Sequence, residues 1–503
     1  MKKACILFIA MCVLFCSCEP GPSGQDLPMP TDNVSFFSER QAIFPFYCIG
    51  VDNKLWRVQS NGSLCSQVQV NYSLQGTELS YVYPVPGTDI VLYATDLITE
   101  NGTVLCSLGY WNGSDPAIKL AENIRFNSLC VNEFGSVLFI DEENTLYLYQ
   151  DDICSKIEAN VAQAVFVGEE TFLYRLAVGE YISGEFSYPI YAATADYRNY
   201  LMSALDIASV DSSNGRAFLI KNKHTVQKRA ATAEAADCYI YANGEILFNI
   251  PSVLLSQLTE DTTHMVLLSC DEAKTTLQYN LFRIDGDEPI LISSAVLSGR
   301  YASSDRTTFV YETAQEDMIK TNLLNQSNAI IPLSFENPFS LENIYFCAPY
   351  LYLFSGGVLS VLDTTVSGSG FEKLAVGFSS VRLSGSSLIC FQGNQPPYSV
   401  WVCNGKQVVL LASDAINDIF FYEDGYLYYY TGEKNFYNIS MASSDGIKIA
   451  YISNVDTQIG FLAGETYVAA AKKDDKSLYI AHINGFMDTK IQIKKIISQK
   501  EVT

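Results

Sequence analysis

Residues 416–454 read INDIFFYEDGYLYYYTGEKNFYNISMASSDGIKIAYISN, a stretch in which four aromatic or aliphatic runs alternate with polar turns. The runs are 420–423, 426–430, 436–441 and 447–452. Asp424-Gly425 separates the first two, and this dipeptide is a strong hairpin signal because a type I′ turn needs positive φ at both central residues. Residues 443–446 separate the last two runs in the same way. The stretch therefore predicts four short β-strands joined by tight turns.

Similar hairpins recur along the rest of the chain at roughly 40-residue intervals, a repeat length typical of propeller blades. Examples of paired runs are 90–95 with 103–108, 239–242 with 245–250, 350–354 with 358–362, and 466–471 with 477–482. In an all-β chain this period favours a β-propeller whose blades are four-stranded sheets. A β-solenoid or a sandwich is the alternative, but solenoid repeats are usually shorter and more regular. The predicted fold class is therefore all-β, a β-propeller.

The number of repeats bears on the domain organisation. The last units are 341–377, 378–414, 416–454 and 455–494. Counting back from them gives about ten or eleven units, more than the usual four to eight blades of one propeller. Either two propellers lie in tandem, with a boundary near 250–260, or some units are half-blades of one large ring. The body is accordingly divided into repeats at 35–255 and 256–494, followed by a basic tail at 495–503.

Several repeats resemble a known family. FFYEDGYLYYY at 420–430, FVGEETFLYRL at 166–176 and YLYLFSGGVLSVLD at 350–363 look like repeats of bacterial low-density-lipoprotein-receptor-like propellers of unknown function. In that family a second hairpin carries aromatic, apolar and Ser positions before Asp-Gly, and NFYNISMASSDG at 435–446 is similar to it. The resemblance implies a propeller used for recognition or scaffolding, and it transfers no catalytic residue.

The N-terminus has the pattern of an export signal. Lys2 and Lys3 precede an apolar run at 4–15 that is too short to cross a bilayer as a helix. Ser17-Cys18 then resembles a bacterial lipobox, in which a small residue precedes the cysteine that receives diacylglycerol. An ordinary secretory signal with incidental cysteines is the alternative. Either interpretation takes the protein out of the cytosol.

The lipobox interpretation predicts a lipoprotein signal peptide at 1–17, followed by a diacylglycerol- and palmitate-bearing Cys18 at the start of a flexible tether, 18–34. Four prolines and two glycines without apolar periodicity support a tether there. The protein is then an exported, membrane-anchored lipoprotein on the periplasmic side or on the cell surface. The membrane is a partner through the N-terminal lipid.

Composition and charge restrict the partners of the body. Hydrophobic residues make up 48% of the chain and charged residues only 17%, which suits a sheet-rich body with a large core. Removing the positive charges of Lys2 and Lys3 lowers the net charge from −23 to −25. A body this acidic is repelled by phosphate backbones, so nucleic acid is excluded. A protein or a glycan on one propeller face remains as the expected ligand.

The chain shows no catalytic or metal-binding motif. His224, His264 and His482 have no second His or Cys at ligand spacing, and neither G-x-S-x-G nor H-E-x-x-H occurs. Acidic clusters at 141–143, 151–152, 169–170 and 285–288 lie in predicted turns, where simple solvation is favoured over the alternative of Ca²⁺ binding or acid–base work at a channel mouth. The sequence therefore assigns no catalytic residue, no metal and no cofactor.

One basic patch stands out in the acidic body and interrupts the repeat. It contains Lys221, Lys223, His224, Lys228 and Arg229, and the Ala-rich segment 230–236 after it is expected to form a short helix. Departures from a repeat are often functional, so the patch is a candidate anion or partner site. A charged edge strand that discourages aggregation is an equal alternative.

The ten cysteines after the signal region allow either disulfides or buried thiols. Most lie inside apolar runs, where cysteine behaves as a small hydrophobic residue, so mostly buried thiols are favoured. Cys390 with Cys403 and Cys48 with Cys65 are the pairs best placed to bridge neighbouring strands.

Three functions are compatible with these observations. A lipid-anchored envelope propeller that acts as a non-catalytic binding or scaffold protein is favoured by the signal, the tether and the repeats. A carbohydrate-active enzyme using channel-facing carboxylates is the first alternative, and a surface adhesin is the second. The sequence favours a protein that is not an enzyme.

Overall fold

The computed structural model describes residues 46–497, apart from short gaps. The gaps are 53–54, 61–64, 70–80, 86–87, 89, 101, 112–117, 183, 212–214, 229–230, 260–265, 286–287, 316–317, 326–328, 334–339, 367–369, 385–386, 417–419, 424, 434–435, 444–445, 465–466 and 483–484. The signal peptide, Cys18, the tether, Arg229, His264 and most of the basic tail lie outside the described residues, as do the side chains of Cys65 and His482.

The described chain consists almost entirely of antiparallel strands. It begins with β1 (Phe46–Gly50), β2 (Leu55–Ser60) and β3 (Cys65–Gln69). A first sheet contains β4 (Tyr81–Pro84), β5 (Val91–Glu100), β6 (Thr103–Trp111) and β7 (Ile118–Arg125). A second contains β8 (Cys130–Val131), β9 (Val137–Ile140), β10 (Leu146–Gln150) and β11 (Ile153–Glu158). A third contains β12 (Val161–Phe166), β13 (Phe172–Leu176), β14 (Glu180–Ile182), β15 (Glu185–Ala193) and β16 (Arg198–Ala204).

A ten-stranded sheet occupies the middle of the chain. It contains β17 (Asp206–Asp211), β18 (Arg216–Lys228), β19 (Ala231–Ala242), β20 (Glu245–Leu254), β21 (Val266–Cys270), β22 (Tyr279–Asp285), β23 (Glu288–Tyr301), β24 (Phe309–Gln315), β25 (Met318–Leu324) and β26 (Ile330–Leu333). The described helices are short, at Leu255–Thr259 and, as 3₁₀ turns, at Phe126–Ser128 and Leu341–Asn343. Within the described residues no helix is long and apolar enough to span a membrane.

Three regular four-stranded sheets follow. They are β27 (Ile344–Cys347), β28 (Tyr350–Ser355), β29 (Val358–Asp363) and β30 (Glu372–Val376); β31 (Ser380–Ser384), β32 (Ser387–Gln392), β33 (Tyr398–Asn404) and β34 (Gln407–Ala415); and β35 (Phe420–Glu423), β36 (Tyr426–Glu433), β37 (Phe436–Ser443) and β38 (Lys448–Ile452). The final strands, β39 (Phe461–Gly464), β40 (Tyr467–Ala471), β41 (Ser477–His482) and β42 (Gly485–Ile497), join β1–β3 in a seven-stranded sheet.

The long strand β42 links the two ends of the described chain. Its first part pairs with β41 through Ile480↔Met487, and its last part pairs with β1 through Tyr47↔Ile497. β23 spans two groups in the same way, because it pairs first with β22 and then with β24. Splitting the sheets at β20, β23 and β42 gives eleven groups of about four strands.

Hydrophobic packing joins these groups in a cycle. Eleven clusters of buried residues each connect one group to the next in chain order, and one of them connects β39–β42 to β1–β3. Consecutive four-stranded sheets packed face to face around a closed cycle are the architecture of a β-propeller. The predicted all-β propeller is therefore confirmed.

The predicted boundary near residue 255 does not interrupt the packing. β20 pairs with β21 through Val253↔Ser269, so one hydrogen-bonded sheet crosses the boundary. The division of the body into repeats at 35–255 and 256–494 stays a prediction.

The aromatic run in β36 shows how one strand serves two interfaces. Tyr428 and Tyr430 are buried against the sheet that contains β39–β41, whereas Leu427 and Tyr429 on the opposite face are buried against β32–β34. Successive side chains of a strand point to opposite faces, which explains the alternation. The prediction that these rings fill the space between blades is confirmed.

The nine described cysteines are all free, and seven of them are buried. Cys390 and Cys403 lie on neighbouring strands with their sulfurs 3.4 Å apart, and the hydrogen bond with the Cys403 thiol, together with burial, raises the pKa of Cys390. The preference for buried thiols over disulfides is confirmed for those seven, whereas the free thiols of Cys130 and Cys154 are half-buried and exposed. Cys48 is among these free cysteines, so the suggested bridge from Cys48 to Cys65 is not present.

The Ala-rich segment was expected to form a helix, and this expectation is wrong. Residues 231–242 form β19, which pairs with β18 on one side and β20 on the other. Ala235 and Ala236 are completely buried there. Alanine has a high helix propensity, but propensity is a weak preference that tertiary pairing overrides.

Candidate functional site

The candidate site lies on the unusually long hairpin β18–β19. Four residues of the predicted basic patch, Lys221, Lys223, His224 and Lys228, belong to β18. The fifth, Arg229, lies outside the described residues. We call the region around them the bulge site, because three neighbouring strands depart from regular pairing at this level.

Irregular backbone reorients the side chains of the bulge site. The register of β18 with β19 shifts between Lys221 and His224, and Asn222 has φ of +53°. The register of β19 with β20 shifts between Ala236 and Cys238, and the facing residue Ser252 has φ of +51°. Positive φ is costly for a serine, and bulges redirect side chains next to functional sites.

Two carboxylates hold these bulges in place. Glu185, at the start of β15, accepts hydrogen bonds from the backbone N–H of Asn222 at 2.7 Å and of Lys223 at 3.1 Å. Asp237 accepts one from the Asn222 side chain at 2.6 Å and one from the Ser252 backbone N–H at 3.2 Å. The bulge site is therefore tied to the neighbouring sheet that contains β15.

Ser252, His224 and Glu272 form a polar cluster at the centre of the site. His224 Nδ1 donates to the Asn222 carbonyl at 2.7 Å, so Nε2 faces Ser252 Oγ at 3.2 Å and Glu272 Oε1 at 3.3 Å. The Ser252 hydroxyl donates to Glu272. That hydrogen bond, with the nearby charges of His224 and Lys228, holds the pKa of Glu272 below its ordinary value despite partial desolvation.

This cluster has the residues of a hydrolytic triad but not its geometry. In such a triad, the serine hydroxyl hydrogen-bonds to one imidazole nitrogen and the carboxylate hydrogen-bonds to the other. Here Glu272 and Ser252 approach the same nitrogen, Nε2, and Nδ1 donates a hydrogen bond to a backbone carbonyl. The arrangement fits a structural cross-link between β18, β20 and the turn after β21 rather than an activated nucleophile.

The electrostatics of the bulge site are balanced. Lys223 lies 3.6 Å from Glu234, His224 faces Glu272, and Lys228 donates to the Glu272 backbone carbonyl at 2.6 Å. Glu185 and Asp237 add two more negative charges to the site. The described part of the patch is therefore a mixed surface rather than a concentrated positive one.

Exposed aromatic rings border the bulge site. β14 and the first residues of β15 pair to form a small hairpin, residues 180–187, which we call the aromatic hairpin. Tyr181 and Phe186 remain 66% and 51% exposed, with ring centroids 5.1 Å apart. The ring centroid of Tyr188 lies 6.2 Å from that of Phe186, and the Arg175 guanidinium carbon lies 4.6 Å from the Tyr188 centroid. Glu185 links the hairpin directly to the bulge site.

Sequence reasoning found the basic strand of this site but missed its other members. Ser252 and Glu272 are 28 and 48 residues beyond His224, and no motif spacing connects them. The aromatic hairpin did leave a signal, because Tyr181-Ile-Ser-Gly-Glu-Phe186 is a short turn between two aromatic residues. Recognising it requires knowing that the rings remain uncovered.

The strain at Ser252 gives a testable prediction. Ser252→Ala and Ser252→Gly both remove the hydroxyl, but only glycine adopts φ of +51° without steric cost. We expect Ser252→Ala to be less stable than Ser252→Gly by about 1 kcal/mol. Urea unfolding measures the difference.

Ser269 in β21 provides the matched control. It is also buried but lies in an ordinary strand, where alanine is the better residue by about 0.5–1 kcal/mol. The order of the alanine and glycine variants should therefore reverse there. The same order at both positions would contradict backbone strain at Ser252.

Comparisons with known proteins give structural similarity only. No protein-family model matches the chain, and no curated protein matches it. Among solved structures, TolB from Acinetobacter baumannii is 11% identical, covering 57% of this chain and 78% of its own with a TM-score of 0.21. The β-propeller domain of the trilobed protease from Pyrococcus furiosus is 11% identical, covering 68% and 97%, with a TM-score of 0.24. No functional conclusion follows from either similarity.

Proposed function

We propose that this protein is a lipid-anchored β-propeller of the cell envelope that acts as a non-catalytic binding or scaffold protein. The pattern around Cys18 supports the anchor, and the propeller body supports a recognition role. The non-triad geometry of Ser252, His224 and Glu272 supports binding over hydrolysis at the bulge site.

The aromatic hairpin is the observation that carries this proposal. Most large rings of the described chain are buried between sheets, whereas Tyr181 and Phe186 project from an extra hairpin. Tyrosine and phenylalanine beside arginine are typical of the residues that dominate binding energy at protein interfaces. Because Glu185 holds two backbone N–H groups of β18, the hairpin is already oriented before a partner arrives.

The partner that fits this surface is a protein segment carrying Lys or Arg. The acidic body attracts positively charged segments over a long range. The exposed ring faces of Tyr181 and Phe186 then bind a cation or its aliphatic stem at short range. Such a surface discriminates against acidic proteins through repulsion.

Cross-linking in intact cells, followed by mass spectrometry, tests the proposal. The native protein should capture one or a few envelope proteins through peptides near residues 180–188. Tyr181→Ala combined with Phe186→Ala should reduce this capture at least about tenfold, since each anchor contributes on the order of 2 kcal/mol. Lysine-rich segments should dominate the captured peptides.

Tyr451→Ala is the matched control, because Tyr451 is 63% exposed on β38, in a different group of strands. It should leave capture unchanged. Capture that survives the double substitution, or that falls equally in the Tyr451 variant, would reject the aromatic hairpin as the binding surface.

A further inference from the structure

A second, chemically different site lies where hairpin turns of two neighbouring sheets meet. A cavity of about 390 Å³ is lined by residues of the turns after β12, β15 and β19 and by Gly215, just before β18. β15 runs from the aromatic hairpin at Glu185 to this cavity at Ala193, a nine-residue strand about 26 Å long at the usual rise. The cavity and the bulge site therefore lie at opposite ends of the same strands.

The lining of the cavity carries no charge in its described residues. Its polar groups are amides and hydroxyls, including those of Thr171, Asn199 and Asn243, and Tyr197 stands at its edge with 64% of its surface exposed. Neither Asn199 nor Asn243 makes a side-chain hydrogen bond to another described residue. Both residues are exposed, so their amides are accessible to a ligand from solvent.

Two glycines of the cavity lining border open space. A Cβ added to Gly168 or Gly244 meets no heavy atom within 4 Å. Gly244 needs its positive φ of +93° for the turn after β19, but Gly168 has no such conformational requirement. The space beside Gly168 is therefore available to a ligand rather than filled by the protein.

We propose that this cavity binds a neutral hydroxylated ligand, one or two sugar units that are either free or part of a glycan. A primary amide both donates and accepts, which matches hydroxyl groups that do the same. The face of Tyr197 offers an apolar surface for the C–H groups of a sugar ring. The volume falls at the small end of ligand pockets, which suits one or two rings.

This inference does not rest on the proposed protein-binding function, since it concerns different residues. A charged ligand is disfavoured because the cavity provides no opposite charge to offset its desolvation. A large apolar ligand would leave the amides of Asn199 and Asn243 unpaired. A neutral sugar satisfies both conditions.

The experiment titrates the full chain with glucose, galactose, mannose, N-acetylglucosamine and their oligosaccharides, using calorimetry. At least one neutral saccharide should bind, and Gly168→Val should weaken that binding at least tenfold by filling the cavity. Tyr197→Ala should weaken it as well. Equal affinities for a monosaccharide and its oligomer indicate a free sugar, whereas tighter binding of the oligomer indicates a glycan.

Gly370→Val is the matched control, because a Cβ there also meets nothing within 4 Å and the residue lies before β30. It should bind like the unmodified chain, and urea unfolding should show that both valine variants remain folded. The aromatic-hairpin double variant should also keep sugar binding. Failure of every saccharide, or binding that survives Gly168→Val, would overturn the proposal while leaving the protein-capture result unaffected.

Discussion

A chain that ends at Gln492 is expected to lose its cooperative fold, whereas a chain that ends at Ile497 should keep it. The five residues between these ends form the part of β42 that pairs with β1. They include Ile493, Ile496 and Ile497, all buried against the first or last group of strands. Removing a buried isoleucine typically costs about 2–5 kcal/mol, so losing three approaches the whole stability of a domain.

Far-UV circular dichroism and urea unfolding of the two truncated chains measure this effect. The chain ending at Ile497 is the control, since it keeps every described pair between β42 and β1. An unchanged cooperative transition in the shorter chain would show that the closure between β1 and β42 contributes little.

Gly109→Ala is expected to destabilise the fold by about 1–3 kcal/mol, a large effect for one methyl group. Gly109 pairs directly with Tyr93 across β5 and β6, and the tyrosine ring lies over the glycine. An added Cβ would come within 1.9 Å of that ring. Tyr93 is buried in the cluster between β1–β3 and β4–β7, so the ring cannot move without disturbing the interface.

A double-mutant cycle isolates this contact. In a Tyr93→Leu background, Gly109→Ala should cost much less, because the ring that it strikes is absent. Gly370→Ala controls for the loss of glycine itself, since it meets no neighbour. Additive effects of the Tyr93 and Gly109 substitutions would mean that the ring is not what opposes the methyl group.

Much of the fold follows from local sequence. Period-two alternation and turn dipeptides such as Asn243-Gly244 define strands and hairpins through contacts between near neighbours. How the hairpins group was harder to predict. β23 and β42 each belong to two groups, and β23 changes partner near Ala295, whose φ of +58° no local pattern signals.

The candidate site illustrates a different limit. The run from Lys221 to Lys228 was visible because charge clusters are local in sequence. The sequence did not show that carboxylates offset the positive charge of this run, because Glu185 and Glu272 come from distant strands and turns. Ser252 was missed because it lies 28 residues from His224 in sequence. β19 was predicted to be a helix because its strand partners are not visible in its local sequence. Both depend on the pairing of three strands at one level.

The pairing of β1 with β42 also sets the order of events when the protein is made. Residues 46–50 leave the ribosome hundreds of residues before their partners at 493–497 exist. Until then the edge of β1 that β42 will cover is a free template for pairing with other chains. The β1 edge therefore stays open to pairing with other chains until residues 493–497 have been synthesised.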